Sequence, residues 1–191
     1  MLKLSKALKD EVMVMDEVIA LDLSFDKVLR VLEMLRDDSV DEWIKVYVGL
    51  EILTNVDFVG RLDIQTACDV FVDILNSHIM QSEPLTPEYD LMGNLLPIMV
   101  DEQEKEAPLY DFVYDGEYIY SSFMQAYGID LFEVQGVLHW RKFNALLCGL
   151  PDNTKLMEVM RIRSWKPSKG DSSEYKEKMR KLQREYELPE K

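Results

Sequence analysis

Apolar residues recur in this chain at helical rather than strand spacing, and that period limits the fold more than any motif does. Phe25, Val28, Leu29, Leu32 and Leu35 fall at i, i+3, i+4, i+7 and i+10, one face of a helix. Ser24 stands before them as an N-cap. Ile64, Cys68, Phe71, Leu75 and Ile79 repeat the pattern behind Asp63, which can cap in the same way. The stretch "DEWIKVYVGLEIL" (41–53) reads as helix or strand, because its β-branched content favours a pleated surface. Trp43, Tyr47 and Leu50 share a helical face with Ile44 and Val48 alongside, so a helix is expected. The exception is "EVMVMDEVIALDL" (11–23), rich in Val, Ile and Met around the charged pair Asp16-Glu17. It predicts a β-hairpin turning at that pair, although neither residue favours a positive φ.

A chain of 191 residues that is 47% hydrophobic can bury a real core as one domain. The expected fold is therefore mainly α with a short N-terminal β-hairpin (α+β), a compact helical domain with a C-terminal helical tail. Residues 1–80 hold the hairpin and first helices. Residues 81–108 hold four of the seven prolines and the run "DEQEKE", an acidic linker in which a short helix can begin after Thr86 with Pro87 first. Residues 109–165 form a C-terminal helical half of the same domain, and 166–191 a charged helical tail.

The segment "YDFVYDGEYIYSSFMQAYGIDLFE" (110–133) concentrates aromatic and acidic residues. Asp111, Asp115 and Glu117 lack the regular alternate ligands and closing Glu of a calcium loop. His78 and His139 lie in different expected helices without an obvious partner, so no nucleophile–base pair is legible. A helix starting at Asp115 groups Ile119, Tyr120, Phe123, Met124, Ala126 and Tyr127 on one side. Ser121, Ser122 and Gln125 fall on the other, and Tyr118 in the middle of that polar side. Tyr118 is thus an exposed aromatic and a candidate partner contact. Gly128 ends the helix and Asp130 begins another. From Leu131 to Leu150 the chain is apolar almost all round, which predicts a central buried helix containing His139 as a core residue. Arg141 and Lys142 on that helix must snorkel or face a partner. A further helix starts near Asp152 with Leu156, Val159 and Met160 inward. In the tail, Met179, Leu182 and Tyr186 form a narrow stripe that can dock on its own domain or on another chain; Glu174/Lys178 and Glu177/Lys181 are spaced for ion pairs.

Net charge is −14, which disfavours nucleic acid as a partner. The charge is uneven: residues 1–135 carry −19 and residues 136–191 carry +5, a polarity that can steer self-association or docking onto a charged partner. No apolar run reaches the roughly 18–20 residues of a membrane span, and the opening "MLKLSKALKDEV" has no signal-peptide core. A membrane partner is not expected. Cys68 and Cys148, distant and without metal-ligand spacing, are expected to be reduced and buried. No catalytic, cofactor-binding or metal residue is expected, and the chain reads as a non-enzyme.

The segments "YDFVYDGEYIYSSFMQAYGIDL", "LHWRKFNALLCGLPDNTKLMEVMRIRSW" and "YKEKMRKLQREYELP" resemble the bacteriophage gene-product-fifteen family of long-tailed phages and prophages of Gram-positive bacteria. Two departures stand out. The family often has an aromatic pair after the histidine, where this chain has Trp140-Arg141, and a glycine at the hairpin turn, where it has Asp16-Glu17. The resemblance implies a tail assembly chaperone that coats the long, helical tape measure protein and helps tail tube protein polymerise. It implies work in the bacterial host cytoplasm and absence from the mature virion. A minor tail or connector component of the virion is the alternative.

Overall fold

The computed structural model describes residues 4–5, 7–80 and 109–189. The linker expected at 81–108, with its helix after Thr86, lies outside the described residues. The elements follow as β1 (Glu11–Val14), β2 (Glu17–Ala20), α1 (Phe25–Arg36), α2 (Glu42–Thr54), α3 (Ile64–Ile74), α4 (Gly116–Tyr127), α5 (Trp140–Cys148), α6 (Lys155–Ser164) and α7 (Ser173–Glu185). A π-helical turn, Leu75–Met80, prolongs α3. The protein is mainly α, with one two-stranded antiparallel sheet at its N-terminus.

The hairpin turns one residue earlier than its charged pair suggests. Val14 pairs with Glu17, so Met15 and Asp16 form the two-residue loop, at φ of 47° and 67°. Two positive φ values in sequence match the right-handed twist of the strands, and the register places Val12 and Val14 in the core.

Helix α1 begins after Ser24 as expected, but not by side-chain capping. Ser24 Oγ is buried without a hydrogen-bond partner. The Phe25 amide instead donates to the Leu138 carbonyl (2.9 Å), and the Trp140 amide to the Leu23 carbonyl (2.7 Å). A one-residue antiparallel bridge between Ser24 and His139 thus helps satisfy the N-terminal donors of both α1 and α5. Helix α2 buries Leu50 and Leu53 but leaves Trp43 exposed, contrary to the expected face. Lys45 goes inward instead. Its Nζ donates to the Leu35 carbonyl at the end of α1 (3.3 Å) and to Glu42 Oε1 (2.8 Å). Helix α3 is capped by Asp63, whose carboxylate accepts from the Thr66 amide and hydroxyl. Phe71, Leu75 and Ile79 are buried as expected, whereas Ile64 is exposed and Ala67 and Ile74 take the inner positions.

In the C-terminal half, α4 buries Ile119 and Phe123 and ends at Gly128 with φ 64°. Ser122, expected outside, is fully buried. Its Oγ accepts the Leu156 amide in the first turn of α6 (3.0 Å), doing across space what an N-cap does locally. The long central helix does not form. Residues 131–137 are turns and α5 starts only at Trp140. Gly136 takes a φ of 69°, and its amide is held by Asp26 Oδ1 of α1 (2.8 Å). Phe132 and Val137 are consequently 71% and 78% exposed. Cys148 is exposed and Cys68 only partly buried, both as free thiols, so the expectation of two buried cysteines is corrected.

The two described segments share one core. Phe143 sits at its centre, stacked on Phe25 (4.9 Å), Phe123 (5.2 Å) and Trp140 (5.7 Å). The Trp140 indole N–H donates to the Ile79 carbonyl (3.1 Å). Helix α7 docks on its own domain. Met179 is buried, Gln183 reaches the Arg163 and Trp165 carbonyls, and Arg163 Nε donates to the Tyr186 carbonyl.

Candidate functional site

The three residues singled out as partner contacts do not come together. Tyr118 is half-buried rather than free. The ring of Tyr186 meets it edge-on at 6.0 Å, and Lys155 Nζ lies 5.9 Å from its centre. Lys155 in turn donates to the Tyr186 hydroxyl (2.9 Å). That bond, with Glu158 adding to it, keeps the Lys155 ammonium charged above its usual range. The tail therefore covers the side of α4 that the helical projection leaves open. Arg141 is also engaged internally, with a guanidinium nitrogen 3.2 Å from Asp10 Oδ1. Only Lys142 projects to solvent.

Asp10 gathers the two histidines that look unpartnered in sequence. His78 Nδ1 lies 3.0 Å from Oδ1 and His139 Nε2 lies 2.8 Å from Oδ2. The Arg141 amide donates to His139 Nδ1 (3.0 Å), so the ring proton sits on Nε2 and points at the carboxylate. His139 is thus the N-cap of α5, not a helical core residue. Burial works against ionisation of Asp10, but the hydrogen bonds from His139 and His78 and the Arg141 charge outweigh it and hold its pKa below the ordinary value. Ser24, His139 and Asp10 have the composition of a nucleophile–base–acid set. They lack its geometry, since the imidazole spends both nitrogens on the Arg141 amide and on Asp10.

The acids of the aromatic segment are likewise tied up. Arg163 binds Asp115 through two nitrogens, at 2.6 and 2.8 Å, and Asp115 Oδ2 also accepts the Asp111 amide. Asp111 pairs with Arg36 of α1 (2.6 Å) and accepts the Val113 and Tyr114 amides. Burial opposes its charge, but those amides and Arg36 prevail, so its pKa is lowered. Glu117 is separate, on the surface. Among the described residues no group of three or more His, Cys, Asp or Glu is arranged to hold a metal ion, and no helix is long and apolar enough to cross a membrane.

The outer face of the hairpin is open, as are Phe132 and Val137 elsewhere on the surface. Met13 pairs directly with Val18, and Glu11 with Ala20, so these four side chains share a face. Met13 is 63% exposed, Val18 61% and the turn residue Met15 71%. Helical periodicity says nothing of this surface. The signal was present, however: "EVMVM" and "EVIA" are apolar on both faces, where a strand with one solvated face alternates with polar residues.

No curated protein and no solved structure matches this chain. A family model described as Bacteriophage Gp15 protein matches residues 6–188, nearly the whole chain. The chain belongs to the bacteriophage Gp15 protein family.

Proposed function

We propose that this protein is a non-catalytic tail assembly chaperone that binds the phage tape measure protein and assists assembly of the tail tube. It works in the bacterial host cytoplasm and is absent from the mature virion. The observation that carries the reading is the outward Met13–Val18 pair with Met15 beside it, on a hairpin whose Val12 and Val14 already face the core. Methionine is flexible and polarizable, and so adapts to varied apolar partners. Family membership supports the reading. So does the commitment of Asp10, Asp111 and Asp115 to internal pairs, which leaves those groups to structural work.

The test is copurification. A tagged tape measure protein from the same genome, co-expressed with this chain untagged, should carry it through purification in a fixed ratio. Failure to copurify would sink the proposal. Mass spectrometry of purified virions separates it from the alternative of a minor tail or connector component: stoichiometric presence in particles would favour the structural role.

A further inference from the structure

We infer that the outer face of the β1–β2 hairpin receives a helix whose apolar stripe is flanked by lysine or arginine. This deepens the chaperone reading by stating the chemistry of the partner, and it rests on that reading for the partner's role in the phage. Its own support is physical. A sheet face lined by Met13, Val18 and Ala20, with Met15 at the turn, exposes apolar surface that a stable layer architecture covers. Nothing in the described residues lies over it, since all four are exposed.

Charge selects the occupant. No Lys or Arg occurs between Lys9 and Lys27, whereas that span holds Asp10, Glu11, Asp16, Glu17, Asp22 and Asp26. Three of these acids are satisfied within the fold: Asp10 by the histidines and Arg141, Asp22 by Lys27, and Asp26 by the Gly136 amide. Glu17 pairs with Val14 and lies on the other face, whereas Glu11, opposite Ala20 on this face, and Asp16, beside Met15 at the turn, are exposed and border the apolar patch. A second copy laid face to face would set these acids against their own kind, a costly arrangement in a molecule of charge −14. A helix with basic flanks would meet them with opposite charge and bring an apolar stripe to Met13, Met15 and Val18.

The full-length protein can be titrated with two labelled synthetic helical peptides that share a leucine stripe, one flanked by Lys and one by Glu. Met13→Thr/Val18→Thr keeps the net charge and the β-propensity of both strands. Its thermal midpoint should stay within about 2 °C of the parent, as for surface substitutions. The Lys-flanked peptide should bind at least ten-fold more tightly than the Glu-flanked one and lose at least ten-fold on this double substitution. Glu11→Lys, a single change on the same face, should narrow or reverse the preference between the peptides. Binding that ignores Met13→Thr/Val18→Thr would overturn the inference, since generic attraction to an acidic protein would then explain it. A parent that sediments as a dimer, and a double variant that sediments as a monomer, would also overturn it in favour of a second copy. Copurification of the parent chain with the tape measure protein is read separately, so a failed surface with copurification intact is told apart from a failed chaperone reading.

Discussion

Gly49 shows how one residue can be fixed by its neighbour against its own propensity. It lies mid-helix in α2, where alanine would normally be favoured by about 1 kcal/mol. A Cβ there would stand 2.6 Å from the ring of buried Phe71. Overpacking of that kind costs about 1–3 kcal/mol, so Gly49→Ala should destabilise the protein despite the better helix former. A urea melt checks the sign, and a stabilised variant would show that Phe71 can move aside. Tyr118 makes the opposite point. Its own helix predicts exposure, but Tyr186 arrives from the tail and covers it. A double-mutant cycle with Tyr118→Ala and Tyr186→Ala should give a coupling of about 0.5–1.5 kcal/mol, the range for paired aromatic rings. Additive losses would mean that the two rings do not support each other. No periodicity argument reaches such a contact, because the covering residue lies in another element.

At the scale of elements, the sequence was legible where a helix buries a regular stripe and misleading where tertiary contacts set the ends. Val28 in α1, Phe71 in α3 and Phe123 in α4 are buried where the 3.6-residue period places them. The stretch before α5 has as much apolar content, but the Gly136 amide is taken by Asp26, far away in sequence, and the chain turns. The start of α5 is then set by His139 and by Asp10, 129 residues apart, a distance over which local pattern says nothing. The candidate site divides in the same way. Tyr118 and Arg141 read as available in sequence because their partners are remote, whereas the two-faced apolar pattern of the hairpin is legible directly in alternate residues.

The Asp10 clasp, which joins the entry to β1 with the start of α5 and the turn after α3, carries a pH prediction. Asp10 has a folded pKa below its unfolded one. Its stabilisation is therefore present above the ordinary aspartate range near pH 4 and is lost as pH falls through the depressed folded value. Asp10→Asn should cost about 1–3 kcal/mol at neutral pH, the range for a buried charge-assisted bond. Relative to the parent, that loss should shrink on acidification below about pH 4. Asp111, lowered for similar reasons, leaves the variant a shallower acid limb of its own. Chemical denaturation across pH checks this; a loss that stayed constant down to pH 2 would contradict the assignment.

Across the whole molecule, the ionic and aromatic contacts are spent on joining parts of one fold, and the outward hairpin face is not. Arg36–Asp111, Trp140–Ile79 and Asp10–His139 all tie the segment ending at residue 80 to the one starting at residue 109. Arg163 ties the tail to the start of α4 through Tyr186 and Asp115. A molecule held together in this way can lose outer hairpin side chains without losing its fold, so the proposed partner binding should be separable from stability. Co-expression of the tape measure protein with the parent chain, with Met13→Thr/Val18→Thr, or alone tests that claim most directly. The quantity to measure is the soluble fraction of the tape measure protein. That fraction should rise several-fold with the parent and little or not at all with the variant, while the two chains keep equal thermal midpoints. A tape measure protein equally insoluble with and without the parent, or rescued as well by the variant, would contradict that claim.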